Sequence, residues 1–396
     1  MRHELPNEER AAFLDGMRGW AALMVLGSHL IFLFCNCDSA QASQWFLRFP
    51  CDGTLAVYIF FVLSGFALST QFIKSKNRGI LASLALRRYL RLTIPILVSV
   101  LLAWALMSAG LMANGRAAAV MGNGYLASFY NFVPSLKGAL SYSLWDIYFR
   151  YQDVFPTSYN RVLWTMSYEL YGSLLVFLLL ALFGTLRIRF AIYGATGMLF
   201  CLAGKPAMVA FVFGIGLAEF YHHRAFGRLG NHAGSLALSL LLLMAGWIYS
   251  SFHTDYGPTP LDLPFVALLM VFGVMINRRV RQLFETRLSL FMGHISFPLY
   301  LTHLLVICSL TSALYLFLAA LGLGARTAVF LAAVVTLPAC LAAARAFQPV
   351  ETAGILLSKR FANAVLCGTP KPKFEIPDHN ESDTTMLKAK AQDERR

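Results

Sequence analysis

Charge is scarce in this sequence. Lys, Arg, Asp and Glu together make up only 13% of its 396 residues, whereas a soluble domain carries about 25%. With 58% hydrophobic residues and a mean hydropathy of +0.60, that shortage excludes an ordinary soluble globule and predicts a polytopic membrane protein. Acidic residues are scarcer than basic ones, 20 against 33, for a net charge of +13. In a soluble chain such an excess would suggest nucleic acid. Here it is expected on cytoplasmic loops, where the positive-inside rule puts it, so the expected partner is the lipid bilayer and not nucleic acid. The seven cysteines show no zinc-site spacing, and no metal is expected. Cys35, Cys37 and Cys51 share one loop and would pair if it faces an oxidising compartment, while Cys201, Cys308 and Cys340 read as packing residues. There is no internal repeat and no sign of a second folded domain. The first apolar run, Phe13 to Phe34, is too long for a signal-peptide core and lacks a following cleavage site, so it is expected to stay as a membrane helix.

Long apolar runs are what the chain has in abundance. A membrane helix needs about 20 such residues, and segments near 13–34, 54–73, 92–113, 163–183, 188–204, 206–221, 234–251, 261–277, 289–311 and 326–346 qualify or nearly qualify. The expected fold class is therefore all-α, a bundle of about ten transmembrane helices. One set of loops collects the charge: Lys74, Lys76, Arg78, Arg87, Arg88 and Arg91, then Arg187, then Arg224 and Arg228, then Arg278, Arg279, Arg281 and Arg287. The alternate set holds Arg48, Lys205 and Arg326, and the long 114–162 segment carries its few basic residues among aromatics. Short loops carry the topological information, so both termini are expected in the cytoplasm and the protein in the inner or plasma membrane. The membrane domain is expected over 1–350, followed by a polar, disordered cytoplasmic tail over 351–396.

Against this background a few ionisable residues stand out, because each is costly in a bilayer and defaults to a functional role there. "FLDGMRGWAALMVLGSHL", residues 13–30, carries Arg18 near one end and His29 well inside. Eleven residues at 100° each bring both to one helix face, roughly 16 Å apart along the axis. An arginine at the cytoplasmic mouth suits phosphate, and a buried, neutral imidazole suits a general base. Glu169 in "RVLWTMSYELYGSLLVF" and Tyr300 and His303 in "LFMGHISFPLYLTHLLV" are expected at similar depth. The same residues could instead pair with one another simply to hold the bundle together.

Taken together, these stretches resemble the acyltransferase 3 family of integral membrane acyltransferases. "FLDGMRGWAALMVLGSHL" is similar to that family's first span, with Arg18, ten residues, then His29. "IFFVLSGFALS" at 59–69 resembles its second-span motif, and "RRYLRL" at 87–92 its Arg-x-x-Arg element, as Arg88 and Arg91. "LWTMSYELYGS" resembles its Trp-and-Glu span, with Glu169 as the carboxylate, and "GHISFPLYLTH" its Tyr-Leu-x-His stretch, ending at His303. Two departures stand out. Tyr58 occupies the place where many members have an acidic residue, and Glu169 is followed by Leu170 where many have a second glutamate.

The resemblance implies transfer of an acyl group, commonly acetyl, from acyl-CoA to a hydroxyl of a carbohydrate or lipid-linked glycan. Arg18, Arg88 and Arg91 would then hold the CoA phosphates. His29 would act as base or as acyl carrier, with Glu169 orienting it and His303 completing the catalytic set. The competing function is a proton-coupled exporter of a small or acylated solute, using His29, Glu169 and His303 as a relay. Exporters often show paired broken helices and inverted repeats, and neither is visible in the sequence.

Overall fold

The computed structural model describes residues 11–34, 49–223, 226, 232–252 and 260–366. Among these residues every regular element is helical, with no strand. The principal helices are α1 (Ala12–Phe34), α2 (Gly53–Ser75), α3 (Arg78–Ser108), α4 (Thr165–Phe183), α5 (Arg189–Leu202), α6 (Pro206–Tyr221), α7 (Ala233–Phe252), α8 (Leu263–Ile276), α9 (Arg278–Phe284), α10 (Arg287–His294), α11 (Ser296–Ala320) and α12 (Ala325–Leu366). Between α3 and α4 the chain forms only short helical turns over residues 114–164. Cys35, Cys37, Arg48, Arg224 and Arg228, the 253–259 loop and the tail from 367 lie outside the described residues.

All ten apolar segments are helical, but six helices among the described residues are long and apolar enough to cross a membrane: α2, α3, α4 with the turn before it, α7, α11 and α12. A seventh candidate is the pair α8 and α9, bent by 106° at Asn277. The Asn277 side chain explains the break. Its Oδ1 accepts from the backbone N–H of Arg279 at 2.9 Å, capping α9, and its Nδ2 donates to Ser235 Oγ at 3.0 Å, tying the corner to α7. Helices α5 and α6, at 14 and 16 residues, rise only about 21 and 24 Å, short of the ~30 Å hydrocarbon core.

The expected span 289–311 is divided between α10 and α11, the latter running on to Ala320, and two further boundary differences shape the site. Helix α3 starts fourteen residues before the expected position 92, at Arg78, where Asn77 Oδ1 accepts from Gly79 N–H at 2.8 Å as an N-cap. Arg88 and Arg91 are therefore helical and share a wall. Helix α12 runs past position 350, the expected end of the membrane domain, to Leu366. Residues 351–366 are thus helix and not tail. Small residues at four-residue spacing, Gly354, Ser358 and Ala362, form the buried stripe that keeps this extension packed, with Gly354 against Pro95 of α3.

Helix α2 lies at the centre, with Leu55, Val62, Leu63, Phe66 and Phe72 fully buried. It crosses α6 at glycines: a Cβ on Gly65 would lie 2.2 Å from Phe211 O, and one on Gly214 2.3 Å from Val62 O. The start of α1 meets α9 and α10 the same way, since a Cβ on Gly16 would lie 1.9 Å from Phe284 O and one on Gly293 2.3 Å from Asp15 O. Apposed lipid-facing helices gain little from hydrophobicity alone, so small residues that let backbones touch carry such crossings. The second crossing fixes Asp15 and Arg18 beside His294.

Candidate active site

Helices α1, α2, α3, α4, α10, α11 and α12 surround a cavity of about 350 Å³. Its walls are unusually polar for a membrane bundle: Arg18 and Asp15 from α1, Ser64 from α2, Arg88 and Arg91 from α3, Glu169 from α4, and Gln348, Glu351 and Thr352 from α12. Phe60, Phe61, Phe297 and Tyr300 close the apolar part of the wall. Four of the six residues singled out by sequence thus meet in one cavity: Arg18, Arg88, Arg91 and Glu169. His29 and His303 do not line it.

Within the cavity, Arg88 and Glu169 form an ion pair through Arg88 Nη2 and Glu169 Oε2, with both side chains largely buried. Arg88 Nε also donates to Ser173 Oγ at 3.0 Å, and Ser64 Oγ donates to Glu169 Oε1 at 2.8 Å. Both carboxylate oxygens are therefore taken. The expectation that Glu169 orients His29 is not met here: the carboxylate is turned to Arg88 and Ser64. Arg88 in turn is committed to α4, so its guanidinium is not the open phosphate fork the sequence suggested. Arg18, which lines the cavity, reaches Asp15 at 3.6 Å and the carbonyl of Leu63 at 3.4 Å, both part-buried contacts. Arg91 sits one turn beyond Arg88, within electrostatic reach of Arg18, Arg88 and Glu351.

The two histidines form a second group. Their ring centroids are 5.0 Å apart, and His303 Nε2 lies 3.4 Å from His29 Nδ1. Each Nδ1 is also 2.9 Å from the carbonyl four residues earlier, Val25 O for His29 and Leu299 O for His303. A carbonyl oxygen only accepts, so both Nδ1 atoms carry the hydrogen. In the neutral rings both Nε2 atoms then carry lone pairs. His303 Nε2 directs its lone pair at His29 Nδ1–H, and His29 Nε2 is left as the basic nitrogen of the pair. His303 is fully enclosed, at 1% exposure, while His29 is only partly buried. If His29 Nε2 took up a proton, the positive charge would be shared toward His303 through the Nδ1–H. That is the orienting part the sequence reading gives to Glu169.

Aromatic rings join the two groups. Tyr300 lines the cavity, its ring 6.2 Å from that of Phe60 on one side and 6.1 Å from His303 on the other. Its hydroxyl donates to Val162 O and lies 2.7 Å from Thr165 Oγ1, which pins it between α11 and the start of α4. Arg18 and His29 lie on one helix, so the cavity and the imidazole pair are offset along α1 by the ~16 Å of rise between them. Tyr58 fills its place by packing, 5% exposed with its ring 6.0 Å from Phe61.

Sequence reasoning gives no role to Gln348, Glu351 or Thr352, which the structure places in the cavity wall. The signal that would have found Glu351 and Thr352 is the helix-compatible stretch after Pro349, "VETAGILLSKRFANAVL", with its four-residue spacing of small side chains.

A polar cavity lined by three arginines, with an imidazole pair set apart from it, in an all-helical bundle with several membrane-capable helices, defines the class: a multi-pass membrane protein. Comparison with known families supplies the rest. The acyltransferase 3 family, described as an acyltransferase domain, matches residues 11–345, and the chain belongs to it. Over 71 residues the chain is also 39% identical to "Protein 2 in picA locus" of Rhizobium radiobacter; that segment is 18% of this chain and 31% of the relative's length. No solved structure matches the chain.

Proposed function

We propose that the protein is an O-acyltransferase of the inner or plasma membrane that moves an acyl group, in particular acetyl, from acyl-CoA to a hydroxyl of a carbohydrate or lipid-linked glycan. In this reading both termini are cytoplasmic, and the ten apolar helices, including the short pair α5 and α6, complete the passage through the bilayer. The observation that carries the proposal is the offset along α1 between an arginine-lined cavity and a histidine whose Nε2 is left basic by its neighbours.

Arg18 and Arg91 are the guanidinium groups best placed for the donor's phosphates, whose charge suits planar, permanently ionised donors. Arg88 acts one step back, holding α3 to α4 through Glu169. The pantetheine arm would run past Tyr300 toward the imidazoles. There His29 Nε2 accepts the acceptor's hydroxyl proton as its oxygen attacks the thioester carbonyl. The C–S bond breaks, the new C–O ester bond forms, and the imidazolium returns its proton to the departing thiolate. His303 accepts the Nδ1–H of His29 while the charge lasts.

Purified protein in lipid discs, supplied with acetyl-CoA and a glycan extract of the cell envelope, tests this. Glycan-dependent release of free CoA thiol together with ester-linked acetyl on the glycan is the expected result. Thiol release that no glycan stimulates, with no label reaching carbohydrate, would overturn it.

A further inference from the structure

A second hollow, of about 820 Å³, opens at the other side of α4. That volume is within the range of small-ligand sites, roughly 300–1,000 Å³. The first turns of α4 divide the two spaces. Thr165, Met166 and Glu169 face the arginine cavity, whereas Trp164, Ser167, Tyr168 and Tyr171 face the hollow. This division follows from helical geometry, since positions 164, 168 and 171 share one face and 165 and 169 another. Between the two, the ring of Tyr168 in the hollow lies 6.1 Å from that of Phe61 in the cavity.

The lining of the hollow is of a particular kind. Phe149, Phe155 and Tyr171 are 44%, 41% and 45% exposed, although they are large and partly apolar. Set among them are charged groups: Arg150 and Asp153, paired at 3.3 Å on the surface, and Lys205. Rings left uncovered by the rest of the chain, beside a charged pair and a lysine, match a pyranose, whose C–H faces stack on aromatic rings while its hydroxyls need hydrogen-bond partners. A lipid tail would have no use for the charges, and a nucleotide phosphate would not suit a wall of rings with a carboxylate in it.

We propose that this hollow is a carbohydrate-binding subsite, holding sugar rings of the acceptor glycan on the face of α4 opposite the donor cavity. The inference rests on the acyltransferase reading above and goes beyond it by assigning where the acceptor is held. Stacking on Tyr171 and Phe155 would supply affinity, and Arg150, Asp153 and Lys205 would select hydroxyl pattern and charge.

The test is a steady-state assay of labelled acetyl transfer from acetyl-CoA to delipidated envelope glycan, with wild type, Tyr171→Ala, Phe155→Ala and Tyr171→Phe. The two alanine variants should raise the KM for glycan by up to about tenfold each, the scale of a lost ring contact, with the KM for acetyl-CoA unchanged. Tyr171→Phe, which keeps the ring, should stay within about twofold of wild type. Transfer to glycan with an unchanged glycan KM in both alanine variants would overturn the subsite alone. So would a loss confined to membrane abundance, which would mark the rings as an interfacial belt. Wild-type protein that passes label to lipid or water and to no glycan would overturn the acyltransferase-to-carbohydrate reading and the subsite with it.

Discussion

The two ends of the site solve the problem of polar groups in a membrane in opposite ways. In the arginine cavity, charge is kept and paired: Arg88 and Glu169 neutralise each other, and Ser64 and Ser173 satisfy what remains. At the histidine end charge is avoided. Each imidazole turns its Nδ1–H to a helix carbonyl, and that of His29 is shared with His303 Nε2. The difference teaches where each kind of work can be done. In the proposed function, the committed ion pair is the wall against which Arg18 and Arg91 would meet the donor's phosphates. A neutral imidazole pair with one lone pair left over can gain and lose a proton without a permanent charge in the bilayer.

The largest expected effect comes from breaking the histidine end. His29→Ala should lower acyl transfer by about 10²–10⁴, the usual contribution of a positioned general base, at unchanged membrane abundance. Near wild-type transfer by the purified variant would return His29 to a packing role.

Breaking the ion pair should instead cost stability. Glu169→Gln leaves Arg88 buried without its counter-charge, and thermal or denaturant unfolding in detergent should register a loss of about 3–5 kcal/mol. Adding Arg88→Gln to that variant should recover part of the loss, because no lone charge then remains. Independent, additive losses in the double variant would show that the two side chains do not act as a pair.

Arg91→Gln separates the two arginines of the Arg-x-x-Arg element. It should weaken acyl-CoA binding by about 1.5–3 kcal/mol, the scale of a charge-assisted hydrogen bond, with little change in unfolding. Lysine should substitute poorly, since an ammonium lacks the planar fork. Calorimetric titration with acetyl-CoA reads this directly, and equal affinities would make Arg91 ordinary topological charge. The smallest effect belongs to His303→Leu. It removes one neutral hydrogen-bond acceptor, so transfer should fall by the equivalent of about 0.5–1.5 kcal/mol; a loss as large as that of His29→Ala would make His303 an equal partner in the chemistry.

The sequence made Arg18, His29 and His303 legible because each interrupts an apolar run, and interruption in a bilayer is expensive. It also brought out every apolar helix. What it could not convey depends on how helices are rotated against each other. Glu169 and His29 lie at comparable expected depths, yet whether the carboxylate meets an imidazole or Arg88 is decided by the rotation of α4 against α2 and α3. Glu351 was hidden for another reason. The last apolar run ends near 346, but α12 continues through Pro349 to Leu366, with Gly354 packed on Pro95. The start of α3 was misjudged because capping decides it, at Asn77, and a cap lies outside the apolar run that marks the span.

The most direct test of a donor cavity and a base set apart along α1 is to measure acetyl-CoA affinity and acetyl transfer side by side in His29→Ala and Arg91→Gln. His29→Ala should bind acetyl-CoA as wild type does and transfer almost nothing. Arg91→Gln should bind it roughly tenfold to hundredfold more weakly and recover transfer when the donor is raised to saturation. Parallel loss of binding and transfer in both variants would contradict the division of labour on which the account stands.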